Sequence, residues 1–240
     1  MTMRLLLISS SVVHGYGFLE QPEPFLRAHF GAIRTIAFVP FAAHDHAGYT
    51  AKVRDRFAQM NYDVVTFDEI DRAEGIFIGG GNTFRLLKTL QERDLLDAIR
   101  ARVRAGLPYA GSSAGSVLTS PTVRTTNDMP IVEPQTLSAL GLIPFQLNCH
   151  YLDPDPSSTH KGETREERIL EFHEENDVPV VGLREGGVLR VEDDAVTLDG
   201  LRPARIFLRG RPAFEVEVGG RIDQRIDQRI DQRIDQAVRS

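Results

Sequence analysis

The sequence predicts an α/β fold: a doubly wound, mostly parallel sheet with a C-terminal antiparallel β appendage. Apolar strand-like runs alternate with helical patterns from residue 1 to about 187. Several of those runs lack polar/apolar alternation, as expected where helices cover both faces of a sheet. From Gly187 the texture changes to short β-type runs separated by Asp193-Asp194, Asp199-Gly200 and Arg209-Gly210-Arg211-Pro212. These separators are hairpin signals.

Strands are expected at Leu5–Ile8, Ile36–Val39, Val64–Phe67, Ile76–Ile78, Leu107–Ala110, Phe145–Leu147 and Val180–Leu183. The antiparallel runs are Val188–Val191, Ala195–Leu198, Arg205–Leu208 and Phe214–Val218. Helical spacing joins Tyr49, Val53, Phe57 and Met60, with Lys52, Arg54 and Asp55 on the opposite face. It recurs through Phe84, Leu87 and Leu90, and again through Leu95, Leu96, Ile99 and Val103. Strand–helix alternation of this kind puts ligand sites at the C-terminal ends of the strands.

At 240 residues with 41% apolar content, the chain can bury a sizeable core. Its net charge of −6, with basic residues interleaved among acidic ones, leaves no electrostatic footprint for nucleic acid or an anionic membrane. The single cysteine, Cys149, excludes an internal disulfide framework. The Met1 end lacks the apolar h-region of a secretory signal, so a cytoplasmic location is expected. Residues 1–220 read as one domain. Residues 221–240 read as a low-complexity tail in which Arg-Ile-Asp-Gln occurs four times, too poor in apolar residues to build a core and expected to be a flexible appendage.

The chemistry concentrates at Gly111-Ser112-Ser113-Ala114-Gly115, a G-x-S-x-G pattern with an apolar strand before it and a helix-compatible stretch after. It reads as a nucleophile elbow, in which a sharp strand-to-helix turn exposes the hydroxyl of Ser113. A helix N-terminus behind the serine favours developing negative charge. A second turn, Gly79-Gly80-Gly81-Asn82-Thr83-Phe84, also follows a strand and precedes a helix. It fails the nucleotide-loop patterns, because Phe84 stands where a third glycine belongs and no Lys-Ser/Thr follows. Its backbone, with Gly81 at the bend, can supply one oxyanion donor while the amide of Ala114 supplies the other.

Of the seven histidines, His150 closes the strand ending in Cys149 and is the expected base, with His160 as competitor. The orienting carboxylate is Glu185, which follows the strand Val180–Leu183, or alternatively Asp128. The order Ser, His, Glu differs from the Ser, acid, His order of an α/β-hydrolase and argues for another doubly wound fold. Cys149 as nucleophile is disfavoured because adjacent strand residues point to opposite faces.

Gly79–Phe84, Gly111–Gly115, Arg124–Val132, Asn148-Cys149-His150 and His160–Arg168, in that order, resemble the peptidase E family of aspartyl dipeptidases. The resemblance covers residues 1 to about 218. It implies a class I glutamine-amidotransferase-like fold and cleavage of dipeptides with an N-terminal aspartate, by a serine mechanism without metal or cofactor. By position it implies Ser113 as nucleophile, His150 as base and Glu185 as orienting acid, with Asp128 in support and Arg165 and Asn82 as substrate contacts. The implied partner is a small acidic dipeptide, and the assembly a monomer or homodimer. Ser112 replaces an aromatic residue common in the family, and Ser116 an alanine. Physics supports Arg165: Thr164-x-x-Glu167 is a capping box that places this arginine in the first turn of a helix over 165–176, where its planar fork can grip a β-carboxylate. The other readings are a cyanophycinase-like hydrolase acting on an aspartyl polymer and a non-catalytic amidotransferase-like binding module.

Overall fold

The computed structural model describes residues 2–155, 157, 159 and 162–227. Its centre is a seven-stranded sheet in the order β3-β2-β4-β5-β1-β8-β9. Five of these strands run parallel: β3 (Asp63–Thr66), β2 (Thr35–Val39), β4 (Gly75–Ile78), β5 (Tyr109–Ser112) and β1 (Arg4–Ile8). In β1 the apolar run is continuous because both faces are covered. Leu5 and Leu7 pack with Leu86, Leu87, Leu90, Ile99 and Val103 of α3 (Thr83–Glu92) and α4 (Leu95–Arg104). Leu6 and Ile8 pack on the other side with Leu26, Phe30, Val53 and Phe57 of α1 (Glu23–Phe30) and α2 (His46–Gln59).

The strand runs expected from the sequence all form, several with ends shifted by one or two residues. The fifth begins at Tyr109 rather than Leu107 because Pro108 has no N–H to give a ladder. Helix α1 has no counterpart among the expected helices. It is eight residues long and headed by Pro22 and Pro24, so little periodicity marks it.

Two features of the architecture differ from the expectation. First, β6 (Gln146–Cys149) and β7 (Val180–Leu183) do not join the main sheet; they pair in parallel with each other in a second sheet of order β11-β10-β7-β6. A short, fully buried apolar run looks the same in either sheet. Second, the C-terminal strands are structural parts of both sheets and not an appendage. β8 (Gly187–Glu192) lies antiparallel along all of β1, from Arg4 opposite Glu192 to Ile8 opposite Val188, and β9 (Ala195–Gly200) follows it. β10 (Ala204–Phe207) and β11 (Phe214–Val216) complete the second sheet.

The tail also departs from the expectation at its start. Residues 222–227 are helical, Ile222 is wholly buried and Ile226 nearly so, and both belong to the main core. Asp223 Oδ1 accepts the Val196 N–H at 2.8 Å, and Arg221 bridges to Thr197. The first repeat therefore closes the edge strand β9, whose free backbone groups need partners. The repeats beyond 227 lie outside the described residues.

Candidate active site

Ser113 sits at the C-terminal end of β5, with φ 51° and ψ −110°, a conformation that non-glycine residues rarely adopt. The elbow is held from several sides. A Cβ on Gly115 would stand 2.2 Å from the Ile78 carbonyl oxygen, so only glycine lets the turn approach β4 this closely. Buried Tyr109 donates its hydroxyl to the Gly115 carbonyl at 2.5 Å. Ser116 Oγ lies 2.8 Å from the carbonyls of both Ile8 and Gly111, so this hydroxyl braces the turn against β1 and β5. The helix behind the serine, α5 (Ala114–Val117), is a single turn. The local amide of Ala114 therefore matters more here than any helix-long dipole.

The glycine turn 79–82 abuts this elbow: a Cβ on Gly80 would lie 3.1 Å from Ser113 Cβ. Three of its amides are occupied. Gly79 donates to Val39 O and Asn82 to Ala42 O, while Gly80 donates to the Tyr49 hydroxyl at 3.0 Å. Gly81, at φ 137°, keeps its N–H without a protein partner among the described residues, as does Ala114. Tyr49 carries no chemical signature in the sequence, yet it decides which amide of the turn remains available.

His150 follows β6 and Glu185 follows β7, so the second sheet delivers both. His150 Nε2 lies 3.0 Å from Ser113 Oγ, and His150 Nδ1 lies 3.0 Å from Glu185 Oε1. Ser9, at the end of β1, joins the two sheets: its buried hydroxyl donates to Leu183 O at 2.7 Å and accepts the His150 N–H at 3.0 Å. Beside Glu185, Arg184 is clamped by Asp153 at 2.5 and 2.8 Å and by Glu215 at 2.8 and 3.0 Å. Those hydrogen bonds, Glu215's foremost, raise its pKa and fix the exits of β6 and β7. Burial pushes the Cys149 thiol up, and the nearby Asp128 charge adds to this, so it is a neutral packing group beside the histidine.

Ser113, His150, Gly80, Gly81 and Asp128 line one cleft of about 550 Å³. Asp128 makes no hydrogen bond to His150 and instead accepts from Thr83 at the start of α3. Asn82 has both polar atoms engaged within the protein: Oδ1 accepts the Arg85 N–H at 3.0 Å, capping α3, and Nδ2 donates to Met129 O at 2.8 Å. These bonds fix its orientation in the turn and engage one of the two N–H donors of its amide. Arg165 opens α6 (Arg165–Glu175) behind the capping box, with Thr164 and Glu167 bonded reciprocally at 2.6 and 3.1 Å. Partial burial and the neighbouring Arg168 lower its pKa, and the Asp128 charge counters them. His160 lies outside the described residues. Among the described residues, no group of three acidic, His or Cys side chains is placed to hold a metal, and no helix is long and apolar enough to cross a membrane.

The model of Peptidase family S51 matches residues 5–199. A Streptomyces coelicolor protein named Peptidase E is 52% identical over 229 residues, covering 92% of this chain and 94% of that protein. A Drosophila melanogaster protein named "Probable alpha-aspartyl dipeptidase" is 46% identical over 213 residues, covering 85% and 89%. The solved structure of a peptidase from an acI-B1 Actinobacterium superposes with a TM-score of 0.68 at 17% identity, over 91% of this chain and 96% of that one, a likeness of fold. With the family pattern running from β1 into β9 and relatives of matching length about half identical, the chain belongs to peptidase family S51.

Proposed function

We propose that this serine-type dipeptidase cleaves dipeptides whose first residue is aspartate, through Ser113, His150 and Glu185. The observation that carries the reading is the pair of 3.0 Å contacts from His150, one to Ser113 Oγ and one to Glu185 Oε1, in an open cleft of a family S51 chain. Relatives named for peptidase E and alpha-aspartyl dipeptidase activity support the substrate class. Parallel strands flanked by helices on both faces support a class I glutamine-amidotransferase-like description of the fold. A cytoplasmic location, a single peptidase domain ending near residue 220 apart from the docked first repeat, and a monomer or homodimer belong to the same proposal.

In this mechanism His150 Nε2 takes the Ser113 proton as Oγ attacks the scissile carbonyl carbon. The carbonyl oxygen becomes an oxyanion facing the N–H groups of Gly81 and Ala114. Glu185 accepts the Nδ1–H of His150, holding the tautomer and stabilising the imidazolium. Collapse breaks the C–N bond, and the imidazolium gives its proton to the leaving amine. The acyl group stays on Oγ until water, deprotonated by His150, attacks it; collapse breaks the acyl–Oγ bond, the imidazolium returns its proton to Ser113 Oγ, and aspartate is freed.

Arg165 is the arginine suited to read the β-carboxylate. Arg184 is spent on Asp153 and Glu215, and Arg124 lines a different cleft with Glu163, Glu171 and Glu175. Hydrolysis of Asp-X, Glu-X and Asn-X dipeptides by the purified protein tests the reading. Ser113→Ala should lower kcat on the order of 10⁴-fold or more. Arg165→Ala should lower kcat/KM for Asp-X by ~10²-fold, with poor restoration by lysine. An undiminished Asp-X over Asn-X preference in the Arg165 variant would move the recognition elsewhere.

A further inference from the structure

Asp128 is the acidic group of the cleft that the triad leaves without a task. Its Oδ2 is anchored by the Thr83 N–H at 2.8 Å and the Thr83 hydroxyl at 2.5 Å, with the Thr126 hydroxyl 3.1 Å away. These donors hold the carboxylate against the first turn of α3 and favour its ionised form. Oδ1 has no partner among the described residues, although the residue lines the same cleft as Ser113 and His150. A role in orienting His150 is already filled, because Glu185 occupies Nδ1.

We propose that Asp128 binds the free α-ammonium of the substrate's first residue, so that the site requires an unblocked N-terminus. This rests on the dipeptidase reading above and adds the group that recognises the substrate's positive end. An N-terminal aspartate carries its ammonium and its β-carboxylate on neighbouring carbons. A matching site therefore needs a carboxylate and a guanidinium side by side, each left open to the ligand. Asp128 lines the cleft with Oδ1 unpartnered among the described residues, and Arg165 opens α6 with its charge coupled to that of Asp128. The negative charge of Asp128 acts on the Arg165 guanidinium, and neither group has a salt-bridge partner among the described residues. A dipeptide that inserts its two opposite charges between them satisfies both at once. The same geometry places the ammonium next to the scissile carbonyl, which is attached to the same carbon, and thus beside Ser113.

The experiment compares an Asp-X dipeptide with the matching succinyl-X amide, which keeps the β-carboxylate and the scissile bond but has hydrogen in place of the ammonium. The parent should prefer Asp-X by ~10²-fold in kcat/KM, as expected when a charge partner in a cleft is lost. Asp128→Asn keeps an oxygen for Thr83 but removes the charge. It should lose ~10²-fold on Asp-X, chiefly through KM, and change little on succinyl-X, so that the preference collapses. A role confined to bracing α3 would lower both substrates together, and that outcome overturns the proposal. Should the variant fold poorly by circular dichroism, product inhibition of the parent decides the matter: aspartate should inhibit more tightly than succinate, and equal inhibition overturns the assignment. A parent active on Asp-X and equally active on succinyl-X refutes this inference alone, whereas a parent inactive on all Asp-X peptides removes the dipeptidase reading and this inference with it.

Discussion

Replacing Glu185 by glutamine tests how much the third residue contributes when it is not buried. In triads whose acid is sealed from water, its amide variant costs about 10⁴-fold in kcat, because the amide locks the imidazole in the wrong tautomer. Here the pair is open: the His150 side chain is 39% exposed and that of Glu185 48%. A glutamine in that position can rotate to present its oxygen to the Nδ1–H, and solvent can stand in for part of the lost charge. What remains is one charge-assisted hydrogen bond, worth about 1.5–3 kcal/mol. At about 1.36 kcal/mol per decade, that corresponds to roughly a 10- to 10²-fold loss. Steady-state release of the free amine from an Asp-X dipeptide, measured for parent, Glu185→Gln and Ser113→Ala, gives the comparison. If Glu185→Gln is as damaging as Ser113→Ala, the exposure argument fails. If it costs nothing, Glu185 does not support the histidine.

Two other perturbations address the fold. Ile222 is fully buried against the core beside β9, so Ile222→Ala should destabilise the protein by about 2–4 kcal/mol in urea unfolding, and a variant with parent stability would show that the first repeat does not hold the edge. His29 is buried with its Nε2 unpartnered, and burial holds its pKa down to about 4 from 6.5. The unfolded chain then binds the extra proton first. Its contribution to stability is complete above pH 6.5 and is lost as pH falls towards 4, by up to about 3 kcal/mol. His29→Gln should flatten that part of the stability–pH curve, and an unchanged slope would assign it to other groups.

The parts of the site that were legible in the sequence are those set by local chemistry. The elbow shows because Gly115 must lie against β4 and Ser113 must turn sharply, and both demands fall within five residues. His150 and Glu185 show because each ends an apolar run. What was hidden depends on tertiary placement. Nothing in Gln146–Cys149 says that its neighbour is β7 alone, since burial on both faces erases the periodic signal that would distinguish a second sheet. The hydroxyls of Ser9 and Tyr49 and the carboxylate of Asp128 gain their meaning from partners 31 to 174 residues away. Composition alone makes the Arg-Ile-Asp-Gln tail look unable to fold; Ile222 folds by borrowing a core that already exists.

The Ser9 bridge gives the enzyme a property of its own. Nucleophile and base ride on separate sheets, and the Ser9 hydroxyl touches the exits of both β6 and β7 where those sheets meet, alongside the bonds that tie β6 to Ser120, Thr125 and Asn127. The catalytic contact therefore belongs to neither ladder of hydrogen bonds and depends on how the two sheets are docked. Gentle heating or pressure that loosens the joint would silence turnover while the backbone spectrum stays native, so inactivation would be an early and reversible event, distinct from melting.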